Sequence, residues 1–106
     1  MNDSIIKFEK SISRICKTNY CTTLNSGTDA LTMALHAIGI RKGDEVITPP
    51  NSYIASTGAI VHLGAKPIFV DVQDDLNIDP SKIENAITNK TKAIMPVHLT
   101  GRICNM

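Results

Sequence analysis

The chain has 106 residues, 42% hydrophobic and 20% charged, and its formal net charge is +1. This length allows one domain at most, and the composition is typical of a globular chain rather than a disordered one. The balance of 11 basic against 10 acidic residues argues against a nucleic-acid-binding surface, and the 4% of aromatic residues against a stacking platform for single strands. No apolar run approaches the roughly 20 residues of a membrane span. The first residues lack a signal-peptide core, so we expect a cytoplasmic protein without membrane contact.

The first half of the chain alternates helical and extended patterns. Apolar residues at helical spacing predict a helix over 4–14, and residues 21–24 are a candidate strand. An amphipathic helix is predicted over 28–38, with Gly39 as its stop. A strand over 45–48 is expected to end at two prolines, which cannot donate to a strand ladder.

The second half continues the alternation. A helix is predicted over 52–63, and short apolar runs predict strands over 68–70 and 92–97. Asp79 is the expected N-cap of a further helix, with Pro80 at its first position. Strands and helices recur about every 25 residues, which indicates βαβ units and a parallel sheet. Because the strands are continuously apolar, we expect helices on both faces, an α/β fold of three α/β/α layers.

The three cysteines, Cys16, Cys21 and Cys104, are widely spaced. An odd number without a secretory signal predicts reduced thiols. No combination of these cysteines with the three histidines has a standard zinc-ligand spacing, so no metal site is predicted.

The loop before the second predicted helix is a candidate anion site. Ligands of such sheets bind beyond the carboxyl ends of the strands. Free backbone N–H groups at the helix start, together with Gly27 and the hydroxyls of Ser26 and Thr28, could hold a phosphate. The alternative is purely structural, because Ser26 and Asp29 also fit a capping box. The loop is neither a P-loop nor a GxGxxG loop.

Other polar or aromatic residues also follow the predicted strands. Tyr53 could stack on a flat ring or pack along a helix, and its neighbours Asn51 and Ser52 suit a helix N-cap. Asp71 could bind a sugar or a cation, but more often such a residue caps a turn. His98 could line a pocket, although a backbone-satisfied histidine is the more common case. Lys92 is expected to be solvated, and no catalytic set emerges from the pattern.

Five short segments follow one another along the chain: Ser26-Gly27-Thr28-x-Ala30-Leu31, Gly43-Asp44-Glu45-Val46-Ile47, Gly64-Ala65-Lys66-Pro67, Asn77-Ile78-Asp79 and Val97-His98-Leu99-x-Gly101. Together they resemble the DegT/DnrJ/StrS sugar aminotransferases, and the likeness extends from Phe8 to Met106. The resemblance implies a pyridoxal-phosphate enzyme of the aspartate aminotransferase fold. It implies that residues 1–106 are the N-terminal portion of the large domain, which is incomplete here.

The resemblance also implies roles for individual residues. Ser26, Gly27 and Thr28 would bind the cofactor phosphate, and Tyr53 would stack on the pyridine ring. The family's Schiff-base lysine and the aspartate that pairs with the pyridine nitrogen have no counterpart in this chain, so no catalytic residue is assigned. Asn105 stands where the family usually has aspartate.

The implied reaction transfers an amino group, typically from glutamate, to a nucleotide-linked keto-sugar in amino-sugar or polysaccharide biosynthesis. The full-length enzyme would be a homodimer, and the 106-residue chain alone would be inactive. Two alternatives stay open: a non-catalytic remnant or interaction module, and a pyridoxal-phosphate sugar dehydratase with histidine in place of the lysine. In the family's sheet the predicted strand 21–24 would lack its neighbours, so exposed edges and poor autonomous stability are expected.

Overall fold

The computed structural model describes residues 3–106. Helices and strands alternate after an N-terminal helix. The elements are α1 (Asp3–Cys16), α2 (Gly27–Ala37), β1 (Glu45–Thr48), α3 (Ile54–His62), β2 (Lys66–Phe69), α4 (Pro80–Ala86), β3 (Thr91–Ile94) and a 3₁₀ turn (Leu99–Gly101). None of the helices within residues 3–106 has the length and apolar character needed to span a bilayer.

The three strands form a parallel sheet in the order β2-β1-β3. The central strand β1 is buried along its whole length. Its hydroxyl-bearing last residue, Thr48, donates to the carbonyl of Met95 at 3.0 Å, which adds a side-chain tie between β1 and the segment after β3. The parallel sheet predicted from the sequence is confirmed.

Helices cover both faces of this sheet. Val46 belongs to a core cluster with Leu35 of α2 and Ile60 of α3. The next residue, Ile47, belongs to a second cluster with Val70, Ile78 and Cys104, against which Ile83 of α4 packs. Successive strand residues point to opposite faces, so one strand contributes to both clusters. The three-layer α/β/α architecture is therefore confirmed.

The predicted strand at 21–24 is wrong, because this segment is irregular and stands apart from the sheet. The backbone N–H of Thr23 donates to Glu9 of α1 at 2.8 Å, and its hydroxyl donates to the same carboxylate oxygen at 3.0 Å. Side-chain bonds to a helix thus replace the backbone ladder that a strand would need.

Local signals located the element ends to within a few residues. Gly39 has φ +93 directly after the C-cap of α2, and Asp79 caps α4 with Pro80 at the helix start. The strands predicted over 68–70 and 92–97 both begin and end earlier, at Lys66–Phe69 and Thr91–Ile94. The helix predicted from residue 52 begins at Ile54, after an extended Tyr53.

Candidate functional site

An open pocket of about 660 Å³ lies between the start of α2 and the start of α3. Its wall includes residues that follow β1 and β3, so it lies beyond the carboxyl ends of those strands. The lining residues are Gly27, Thr28, Ala30, Leu31, Ser52, Tyr53, Ala55, Ser56 and Val97. The fold thus brings Gly27 and Thr28 to the same cavity as Tyr53, and Ser26 directly precedes them at the N-cap of α2.

The start of α2 combines a helix cap with unpaired donors. Ser26 Oγ accepts a hydrogen bond from the backbone N–H of Asp29 at 3.1 Å, so the capping role is confirmed. That bond uses the oxygen of Ser26 and leaves its hydroxyl proton available. The N–H groups of Gly27 and Thr28 have no partner among residues 3–106. The first turn therefore presents positive backbone dipoles to the pocket.

Gly27 keeps this part of the pocket open. A Cβ built on it would meet no atom within 4 Å. The missing side chain leaves room for an oxygen-rich group to approach the backbone.

Tyr53 also lines the pocket, at the start of α3. It is the N-cap residue of α3, and 78% of it is exposed. The ring is therefore not packed along a helix, which was the structural alternative. An exposed aromatic face beside an anion site suits a ligand that carries both a flat ring and a phosphate.

The predicted N-cap roles of Asn51 and Ser52 are wrong. Asn51 Nδ2 donates to the carbonyl of Leu76 at 2.9 Å, which ties the loop after β1 to the loop after β2. Ser52 Oγ lies 2.8 Å from Ser56 Oγ, and both serines line the pocket. The only signal for this pair in the sequence is the four-residue spacing of two hydroxyls around Tyr53, and it was not among the predicted site residues.

Residues 2–106 match the profile of the DegT/DnrJ/EryC1/StrS aminotransferase family. The chain belongs to this family.

Relatives in this family share the sequence over nearly the whole chain. A GDP-perosamine synthase from Caulobacter vibrioides is 48% identical over 103 residues, covering 96% of this chain and 28% of that protein. A dTDP-3-amino-3,6-dideoxy-alpha-D-galactopyranose transaminase from Aneurinibacillus thermoaerophilus is 49% identical, covering 93% of this chain and 28% of that protein. The chain therefore spans little more than a quarter of the length of these relatives.

A solved family structure shows the same fold. The NtdA protein of Bacillus subtilis, with bound cofactor PMP, superimposes with a TM-score of 0.96 at 42% identity, covering 99% of this chain and 24% of that one. The α/β fold with a parallel sheet is thus that of part of an aminotransferase of the DegT family.

The contacts of Asp71 are with its own neighbours in the fold. Its carboxylate accepts a hydrogen bond from the backbone N–H of Val72 at 2.8 Å and forms an ion pair with Lys82 at 3.2 Å. The backbone hydrogen bond and then the Lys82 ammonium lower the pKa of Asp71 below its ordinary 3.8. Asp71 is not among the residues that line the pocket.

His98 is satisfied by the backbone, as expected. Its Nδ1 accepts from the N–H of Cys104 at 3.1 Å, and Cys104 Sγ contacts the carbonyl of Val97 at 3.2 Å. These bonds close the turn after β3. The three cysteines are free thiols, and residues 3–106 contain no group of three or more potential metal ligands. Lys92 is exposed, as predicted.

A buried asparagine holds the loops beyond the sheet together. Asn77 is 1% exposed, and its side chain donates to the carbonyl of Arg102 at 3.3 Å and accepts from the N–H of Leu99 at 3.3 Å. The carboxylate of Asp75 also accepts hydrogen bonds from the backbone N–H and from the side-chain Nδ2 of Asn77. In the sequence, Asn77 stands out only as part of a segment shared with the family, and no local pattern predicts its buried contacts.

Proposed function

We propose that this chain is the N-terminal portion of the large domain of a pyridoxal-phosphate aminotransferase that acts on a nucleotide-linked keto-sugar. The observation that carries the proposal is the pocket between α2 and α3, where unpaired N–H groups and the exposed ring of Tyr53 face one cavity. Relatives named for GDP- and dTDP-linked amino sugars support the substrate class.

The residues around the pocket fit pyridoxal phosphate. The N–H groups of Gly27 and Thr28, with the hydroxyls of Ser26 and Thr28, would hold the phosphate in the field of the α2 dipole. None of the lining residues is charged, so no carboxylate opposes an anion there. The ring of Tyr53 would cover one face of the pyridine and exclude water from it.

When bound, this cofactor supplies the electron sink for amino-group transfer. The residues of this chain would bind and orient the cofactor, because no lysine or histidine lines the pocket. We assign the lysine that carries the cofactor, and the aspartate at its ring nitrogen, to the rest of the full-length protein. Glutamate as amino donor, a homodimer and a cytoplasmic location complete the proposal.

The test uses the whole protein encoded by the reading frame that contains this chain. The purified protein is incubated with pyridoxal phosphate, glutamate and GDP- or dTDP-linked keto-sugars, and the products are analysed by mass spectrometry. We expect a sugar whose ketone oxygen is replaced by an amino group, with an equal amount of 2-oxoglutarate.

Two other outcomes would contradict the proposal. Loss of a sugar hydroxyl without gain of nitrogen would identify a dehydratase. Absence of both turnover and cofactor binding would identify a non-catalytic protein.

A further inference from the structure

Two serine hydroxyls form a pair in the wall of the pocket. Ser52 Oγ and Ser56 Oγ lie 2.8 Å apart, and both residues line the cavity that also contains Gly27, Thr28 and Tyr53. Ser56 is 7% exposed, whereas Ser52 is half-buried.

The pair differs from three other helical hydroxyls of this chain. Ser11 and Thr32 donate to the backbone carbonyl four residues earlier, and Ser13 to the carbonyl three residues earlier, which is the common use of a hydroxyl inside a helix. Ser56 instead bonds to the side chain of the residue four positions earlier.

This arrangement leaves one proton uncommitted. A hydroxyl carries one donor proton, so the pair has two, and only one of them lies between the two oxygens. Neither hydroxyl caps α3, since its N-cap Tyr53 makes no side-chain cap bond. Within residues 3–106, neither serine hydroxyl has an acceptor other than the hydroxyl of the other serine. Whichever serine donates to the other, the second can donate to a group in the pocket.

We propose that the Ser52–Ser56 pair donates a hydrogen bond to an oxygen of the cofactor in this pocket, in addition to the donors at the start of α2. This inference rests on the proposed function. A phosphate oxygen and an oxygen on the ring have the same acceptor chemistry, and the lining carries no charge that would repel either. The pair would then act as a second polar anchor, supplied by α3 instead of α2.

The test measures binding to the full-length protein, with pyridoxal phosphate and inorganic phosphate titrated separately. Each single alanine variant retains one free hydroxyl, so the informative variant is the double change Ser52→Ala and Ser56→Ala. We expect it to bind pyridoxal phosphate about tenfold more weakly or worse, the size of one lost hydrogen bond to a charged group. If inorganic phosphate weakens in parallel, the acceptor is the phosphate; if it does not, the acceptor is on the ring.

Controls separate binding from a structural role. Ser52→Ala combined with Ser56→Thr keeps one hydroxyl and should bind more tightly than the double alanine variant, and Thr57→Ala changes a neighbour in α3 that does not line the pocket. If the double variant does not fold, Ser52→Asp places a carboxylate at the half-buried position, where it should repel the cofactor, and Thr57→Asp is its control.

Unchanged affinity in the double variant, or in Ser52→Asp, would overturn the inference and leave the proposed function standing. A wild-type protein that fails to bind pyridoxal phosphate would overturn both.

Discussion

Two residues that line the pocket, Gly27 and Tyr53, contribute little to the packed core. Neither is part of a core cluster. A Cβ on Gly27 would meet nothing, and Tyr53 is largely exposed. Substitutions at these two positions therefore allow the binding role to be measured without loss of the fold.

Gly27→Ala should keep the protein folded and weaken phosphate binding. The methyl group fits the free protein, and replacing glycine at a helix start stabilises by about 0.4–1 kcal/mol. The same methyl would occupy the space through which a phosphate reaches the backbone, so we expect a roughly tenfold loss of phosphate affinity. Calorimetric titration with inorganic phosphate and a thermal melt check both parts. A lower Tm, or unchanged affinity, would contradict the assignment of Gly27.

Tyr53→Ala should weaken pyridoxal phosphate but not inorganic phosphate. An aromatic stack contributes about 0.5–1.5 kcal/mol beyond area burial, so we expect a loss of roughly tenfold in affinity for the ring-bearing ligand. Tyr53→Phe retains the ring and should bind normally. If Tyr53→Phe lost as much affinity as Tyr53→Ala, the hydroxyl rather than the ring would be the binding group.

Elements beyond the sheet are held in place by polar side chains. The loop after β1 bonds to the loop after β2 through Asn51, and the loop after β2 bonds to the turn after β3 through Asn77. Val97, which lines the pocket, directly precedes that turn. These bonds join the three loops that follow the strands.

Asn77→Ala should destabilise the protein by about 2 kcal/mol. The change removes two long-range hydrogen bonds and the bond to Asp75 at a residue that is 1% exposed, and it takes the Asn77 donor away from the carbonyl of Arg102. Denaturant unfolding of the variant measures the loss. Asn51→Ala is the matched control, because it removes one exposed bond and should cost less than about 1 kcal/mol. Equal stabilities of the two variants would contradict the central role of Asn77.

Two carboxylates near the start of α4 should make the folding stability fall at low pH. Bonds from Ser81 lower the pKa of Asp79 below 3.8, and the bond from Val72 together with the Lys82 ammonium lowers that of Asp71. Because both values are lower in the folded state, their contribution is complete above pH 3.8 and is lost as the pH falls further.

A double variant tests this dependence. Asp71→Asn combined with Asp79→Asn retains cap-forming side chains but cannot titrate. We expect its Tm to fall less than that of the wild type between pH 4 and pH 2, measured by circular dichroism. Identical slopes would show that other carboxylates dominate acid unfolding.

The whole chain is less compact than a typical domain of its length. Its radius of gyration is 15.4 Å, against about 13 Å expected for 106 residues. Helix α1 has no buried residue, and large apolar side chains such as Phe8, Ile15 and Phe69 are more than half exposed. The edge strands β2 and β3 contain only exposed and half-buried residues, whereas β1 is buried.

The 106-residue chain, purified by itself, should therefore associate or aggregate. Exposed apolar faces and unpaired strand edges favour contacts with other copies. Light scattering over a concentration series and a thermal melt would measure this. A monomer with a sharp, reversible two-state melt would contradict the expectation.

The local features of this protein follow from its amino-acid sequence. These features depend on neighbours within one or two helical turns: the helix starts at Ser26 and Asp79, the helix stop at Gly39 and the spacing of the apolar residues. The structure contains each of them. The sequence also predicts the candidate cofactor-binding residues Ser26, Gly27, Thr28 and Tyr53, through anion chemistry and family resemblance. Their binding role stays a prediction.

The way in which these elements meet depends on tertiary contacts. The strand order β2-β1-β3, the bond from Thr23 to Glu9 and the Asn77 contacts to Leu99 and Arg102 join residues far apart in the chain. Such contacts depend on which surfaces can be buried together, and no local spacing encodes that choice. For the same reason residues 21–24 suggested a strand, while the folded chain pairs them with a helix.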